Sequence, residues 1–91
     1  MYEVYFSNSF KRNVKLCQKR GLDLQLLQVA IDLLRENGSL PQSYRPHLLT
    51  GNYRGLWEAH LAPDWLLVWK QNNERLVLMF TATGTHSDLF G

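Results

Sequence analysis

Three histidines and one aspartate in the second half of the chain have side chains suited to proton transfer: His47, His60, Asp64 and His86. Imidazole is the group whose charge changes nearest neutral pH, so a cluster of them can supply a base and an acid. His60 and Asp64 flank a turn at Pro63-Asp64. His47 lies in the preceding loop, and His86 lies just past the last apolar run. Strand ends meet at one edge of a meander, so these separations permit convergence. On residue type and spacing alone, however, surface histidines with structural roles or none are the leading reading. A metal site is the next possibility, since histidine and carboxylate ligands suit zinc. Here His60-Leu-Ala-Pro-Asp64 contains a proline and reads as a turn, and no His-Glu-x-x-His helix is present. There is no glycine-rich phosphate loop, no serine nucleophile elbow and no cysteine pair.

Aromatic and basic residues add possible binding groups. Trp65 could stack a nucleobase. By alternation it shares a strand face with Leu67 and Trp69, which favours a core position for part of that set. Phe90, close to the end of the sequence, is less easily explained as core. Lys11, Arg12, Lys15, Lys19 and Arg20 face only Glu3 as a counter-charge within residues 1–20. Such a run reads either as a solvated helix face or as the footprint of an anionic partner.

The elements that must position these groups follow from pattern. The chain has 91 residues, 45% hydrophobic and 20% charged, which suits one domain spanning residues 1–91 around one core. Tyr2 to Phe6 reads as a short strand. Ser7-Asn8-Ser9 offers N-caps for a helix marked by Phe10, Val14 and Cys17 and ending near Gly21. Asp23 caps a second helix with an apolar stripe of Leu27, Ala30, Ile31 and Leu34, stopped by Asn37-Gly38. Residues 41–51 read as a loop. From Tyr53 the period is two, which puts Arg54, Leu56, Glu58 and His60 on one strand face and Tyr53, Trp57, Ala59 and Leu61 on the other. Trp65 to Lys70 is apolar on both faces and therefore central. Residues 71–74 form a turn, and Arg75 to Thr81 is a last strand. Strand, two-helix hairpin and three meandering strands make an α+β domain with helices on one face of a small antiparallel sheet. The other face is left open to a ligand. Lone Cys17 reads as a core residue and points to a reducing cytoplasm. The first residues are too short and polar for a signal peptide, and no apolar run approaches the roughly 20 residues that span a bilayer.

Over nearly its whole length the sequence resembles the YafQ-type toxins of the RelE/ParE superfamily, from type II toxin–antitoxin systems. The resemblance begins at Phe10-Lys-Arg-Asn-Val-Lys-Leu-Cys-Gln-Lys-Arg20. It continues through Leu40-Pro41 and Tyr44-Arg-Pro-His47 with Leu48-Leu49-Thr50-Gly51. The most specific parts are Glu58-Ala-His-Leu-Ala-Pro-Asp-Trp-Leu-Leu-Val-Trp69 and Thr83-Gly-Thr-His-Ser-Asp-Leu-Phe90. It implies a RelE-like fold and an endoribonuclease that cuts mRNA in the ribosomal decoding site. It also implies a cognate antitoxin that silences the enzyme, and operator DNA bound only through the toxin–antitoxin complex.

Carried over by position, the resemblance implies a catalytic set of His47, His60, Asp64 and His86, with Trp65 and Phe90 positioning the nucleotide. RNA supplies its own nucleophile, the 2′-hydroxyl, so a base, an acid and donors aimed at the phosphate suffice without metal or cofactor. In this scheme His60 is the base, Asp64 orients it, His86 is the acid, and His47 contacts the phosphate or shares proton transfer. The basic first helix faces ribosomal RNA. The chain departs from the pattern at Ala82, where many relatives carry arginine, and at Trp57, where some do. Arg54, read as sharing a face with His60, is the expected substitute, ahead of Lys70 and Arg45. A non-nucleolytic binding module, like the superfamily's gyrase-inhibiting branch, and a metal-dependent hydrolase are the alternatives.

Overall fold

Two capped helices open the structure, a computed structural model that describes all residues 1–91. Strand β1 (Glu3–Phe6) ends at Ser7, and helix α1 (Asn8–Lys19) begins there. The Ser7 hydroxyl accepts the Phe10 N–H at 3.0 Å and donates to the Thr81 carbonyl at 3.1 Å. One side chain thus caps α1 and ties it to a distant strand. Asp23 caps α2 (Leu24–Asn37) by accepting the Gln25 N–H. Gly38 ends it with φ 70°, a left-handed conformation that glycine adopts without a Cβ clash. Leu27, Ala30, Ile31 and Leu34 are buried, the stripe expected from their spacing.

The remaining strands are β2 (His47–Leu48), β3 (Trp57–Ala62), β4 (Trp65–Asn72) and β5 (Val77–Gly84), and α3 (His86–Phe90) follows. The sheet order is β1-β5-β4-β3-β2, with every pairing antiparallel except β1 with β5, which is parallel. The third, central place in that order falls to β4, and Trp65 to Trp69 are all buried. Trp65, Leu67 and Trp69 enter the core against Phe10, Cys17, Leu27, Leu34 and Phe80. The alternate side chains, Leu66 and Val68, belong to the opposite, outer face. No helix is long and apolar enough to cross a membrane.

Four local expectations change. The strand expected from Tyr53 starts at Trp57, because Tyr53 ends a 3-10 turn and Gly55 takes a left-handed conformation (φ 93°) that interrupts extended backbone. Residues Gly51–Tyr53 instead form one 3-10 turn, and Arg54 caps it. Arg54 is therefore not on the β3 face that carries His60. The last strand is displaced to Val77–Gly84, and the turn before it runs over residues 73–76, with Leu76 at φ 55°. Residues 86–90 form a helix, with a reciprocal capping box between Thr85 and Asp88. The loop before Gly51 hides the two-residue strand β2, too short for any periodicity to reveal.

The junction between β5 and α3 is anchored from the core side by Thr83, which is 1% exposed. Its hydroxyl accepts the Trp65 indole N–H at 2.9 Å and donates to the Leu66 carbonyl at 2.7 Å. Its backbone N–H donates to the Asn13 side chain of α1 at 3.2 Å. Thr83→Val keeps the side-chain shape but leaves a buried indole N–H and a carbonyl unpaired. The expected cost is about 1–3 kcal/mol in chemical denaturation. A denaturation midpoint equal to that of the unsubstituted protein would show that these bonds do not anchor the junction.

Candidate active site

The outer face of the sheet and the rim of the β3–β4 hairpin carry the titratable cluster. Strand pairing aligns His60 with Leu66, and Leu66 with Gly84. His86, two residues beyond Gly84, is thereby brought back to the start of β4. The β3–β4 register shifts between His60 and Ala62, a bulge of the kind that re-aims side chains beside sites. Pro63 and Asp64 form the tight turn that follows.

Asp64 faces His86. Its Oδ1 accepts from the His86 ring Nδ1 at 2.8 Å and from the His86 backbone N–H at 3.1 Å. An ionised carboxylate only accepts, so Nδ1 carries the proton and Nε2 is the free ring nitrogen. His86 hydrogen bonds hold the Asp64 carboxyl below its ordinary range. Both side chains are more than half exposed, at 56% and 64%, so a substrate can reach the pair. Asp64 was expected to orient His60; it orients His86 instead, because α3 folds back over the hairpin turn.

The His60 ring centroid lies 6.0 Å from that of His86. His60 is half-buried, and its Nδ1 is buried without a hydrogen-bond partner. Burial lowers its pKa from the ordinary 6.5, and the nearby Arg45 charge lowers it further, against an opposing pull from the Glu58 carboxylate. His60 is therefore neutral at pH 7 and able to accept a proton. Arg45, and not the expected Arg54, is the arginine whose charge bears on His60. Arg45 itself sits at φ 49°, capping a short 3-10 turn over Gln42–Tyr44. Lys70 lies at the far end of β4 from Asp64.

His47 on β2 stands opposite Glu58 on β3. Its Nδ1 faces the Arg45 carbonyl at 3.0 Å, and its Nε2 faces Glu58 Oε1 at 3.2 Å. Both ring nitrogens thus face oxygen acceptors. Glu58 is 6% exposed and was not singled out from sequence. Its place beside His60 on the alternating face was the only available signal.

Trp65 is 3% exposed and its indole N–H is committed to Thr83, so it supports the site from beneath and is not a stacking surface for a base. Phe90, 39% exposed, meets the Tyr53 ring edge-on at 4.9 Å. These two rings border a cleft of about 290 Å³ whose lining includes Leu56, Val68, Ala82 and Asn13. Alanine at position 82 leaves the space that a longer side chain would occupy. On α1, Lys11, Arg12, Lys15 and Lys19 are exposed. Arg20 departs from that set because it is paired with Asp88. Among all the His, Cys, Asp and Glu side chains, no three converge in a way that could hold a metal.

The chain is thus a helical hairpin on a five-stranded sheet with a histidine–aspartate cluster at the hairpin rim. The family described as bacterial toxin of type II toxin–antitoxin system, YafQ, matches over residues 2–91, and the chain belongs to it. The mRNA interferase toxin YafQ of Escherichia coli K12 is 39% identical over 90 residues, covering 98% of this chain and 96% of that protein. Crystal structures of YafQ from E. coli strain BL21(DE3) and of the E. coli DinJ–YafQ complex superpose with TM-scores of 0.92 and 0.90. They are 37% and 38% identical, and both cover 100% of each chain. An mRNA interferase is an endoribonuclease, and the family is one of toxins paired with antitoxins.

The site predicts a specific titration. By NMR, the His60 imidazole should titrate below 6.5, neutral above that pH and protonated below it. Arg45→Ala should move its midpoint upward, because a cation that disfavours protonation is removed. A midpoint above 7, or a downward move in Arg45→Ala, would contradict the geometry.

Proposed function

We propose that this toxin cleaves mRNA on the ribosome by metal-free attack of the 2′-hydroxyl on the adjacent phosphate. The observation that carries the reading is an Asp64-oriented His86 beside a neutral His60. His60 takes the 2′-hydroxyl proton as the new P–O bond forms. His86, protonated on both nitrogens and steadied by Asp64, gives the proton on Nε2 to the departing 5′-oxygen. Arg45 and His47 supply positive charge where the phosphorane charge builds, in place of the arginine absent at position 82. Phe90 and Tyr53 hold a base over the cleft, whose volume is close to the lower end of small-molecule sites, roughly 300 Å³.

The exposed lysines and Arg12 of α1 meet the ribosomal RNA backbone, so binding weakens as salt rises. The DinJ–YafQ complex supports a cognate antitoxin, an acidic segment that orders on binding and blocks the cleft. Operator DNA is then bound by the antitoxin within that complex. The cytoplasm, where mRNA, ribosomes and a reduced Cys17 coexist, is the site of action.

Induced expression in a bacterium, with mRNA ends mapped across the transcriptome, tests this reading. New ends should appear within translated codons and vanish when the antitoxin is co-expressed. His86→Gln should slow single-turnover cleavage by about 10²–10⁴-fold. Growth arrest with intact mRNA, or undiminished cleavage by His86→Gln, would overturn the proposal.

A further inference from the structure

We infer that Arg20 and Asp88 form a clamp that fixes the seating of α3, making both of them positioning residues for His86. The inference rests on the nuclease reading above. Arg20 caps the C-terminus of α1, 68 residues before Asp88 in sequence. Its Nη1 donates to Asp88 Oδ2 at 2.5 Å and its Nη2 to Oδ1 at 3.1 Å. This two-pronged contact fixes the carboxylate's plane as well as its place. Asp88 also accepts the Thr85 N–H at 3.0 Å, and its own N–H donates to the Thr85 hydroxyl at 3.1 Å. A Cβ built on Gly84 would stand 2.8 Å from Asp88 Oδ2, so the carboxylate lies directly against the chain entering α3. One side chain thus joins α1, the end of β5 and the first turn of α3.

The consequence for His86 follows from length. A helix of five residues is far below the roughly 12–15 that sustain an isolated helix, so external contacts set its orientation. His86 lies two residues before Asp88 on the same turn. A tilt or rotation of that turn would separate Asp64 from the ring Nδ1 it holds at 2.8 Å. Partly exposed ion pairs, here 41% and 20% exposed at their side chains, add little to global stability. Reaction rate responds more steeply, because a displacement of about 1 Å can cost about a hundredfold. Hydrogen bonds, chiefly from the Arg20 guanidinium and then from the Thr85 N–H, hold the Asp88 carboxyl down to about 2, so the pair persists near neutral pH. This role differs from the one expected for Arg20 as part of the basic face that meets RNA.

The two roles separate experimentally. Single-turnover cleavage on programmed ribosomes would be measured for Arg20→Gln, Asp88→Asn, the double variant and the reversal R20D/D88R. Thermal melts and the NMR signal of the His86 imidazole would accompany each variant. The clamp predicts a fall of about 10- to 100-fold in the saturated rate for either single variant. It further predicts KM within about twofold, a double variant no slower than either single, partial recovery on reversal, and a displaced His86 signal. Wild-type cleavage by Asp88→Asn would overturn the clamp, as would a loss in Arg20→Gln confined to KM, which marks an RNA-binding cation. If Asp88→Asn does not fold, Arg20→Gln, which leaves the Thr85–Asp88 capping box intact, decides by the same rate and NMR readouts. His86→Gln is the control: cleavage retained there removes the nuclease reading itself, whereas cleavage lost there but normal in the clamp variants removes the clamp alone.

Discussion

Asp64 accepts two hydrogen bonds from a single residue, one from the ring and one from the backbone of His86. That double acceptance couples the β3–β4 turn to the start of α3, two segments 22 residues apart in sequence. It selects the tautomer of His86 and leaves Nε2 as the free ring nitrogen. It also needs a rigid base, because a carboxylate on a two-residue turn is only as well placed as the strands beneath it. The buried run from Trp65 to Trp69 and the Thr83 hydroxyl beneath the turn supply that base. Large apolar side chains of this kind each contribute about 1.5–3 kcal/mol on full burial, far more than the exposed contacts above them. Stability therefore resides on the helix side of the sheet, and chemistry on the rim and outer face.

Electrostatics divides the three histidines by environment. His60 loses the charged form to burial and to Arg45. His47 sits between a carbonyl and the buried Glu58 carboxylate, with one ring nitrogen facing each. His86 is open to solvent but held by Asp64. Three identical side chains thus meet three different environments: one half-buried, one between two oxygen acceptors, and one exposed and held by a carboxylate. Position 82, where an arginine was expected, carries alanine. The Arg45 charge disfavours protonation of His60, and Ala82 lines the cleft that Phe90 borders.

Much of the fold was legible in the sequence because helix boundaries are written locally. Ser7, Asp23 and Gly38 act at the caps their types suggest, and the stripe from Leu27 to Leu34 is buried as its spacing requires. Strand β4 declared itself by being apolar on both faces. The start of β3 did not, since alternation carries on from Tyr53 through Gly55 although the backbone there is not yet strand. Helix α3 and strand β2 are too short to show a period, and tertiary contacts hold them. For the site, the histidine set and Asp64 were visible as residue types. Which histidine Asp64 serves was not, because that depends on how the chain folds back after Gly84. Likewise Trp65 proved to be a support beneath the site, and Arg20 a partner of Asp88, on contacts made across the whole chain.

The central claim is that His60 and an Asp64-held His86 cut RNA through its own 2′-hydroxyl. The end groups of the product test it most directly. Ribosome-bound mRNA should be cleaved in single turnover with the added site-binding metals fully chelated. The account predicts an undiminished rate and fragments ending in a 2′,3′-cyclic phosphate and a 5′-hydroxyl. Fragments carrying a 3′-hydroxyl and a 5′-phosphate, or cleavage restored only by a transition metal, would contradict it.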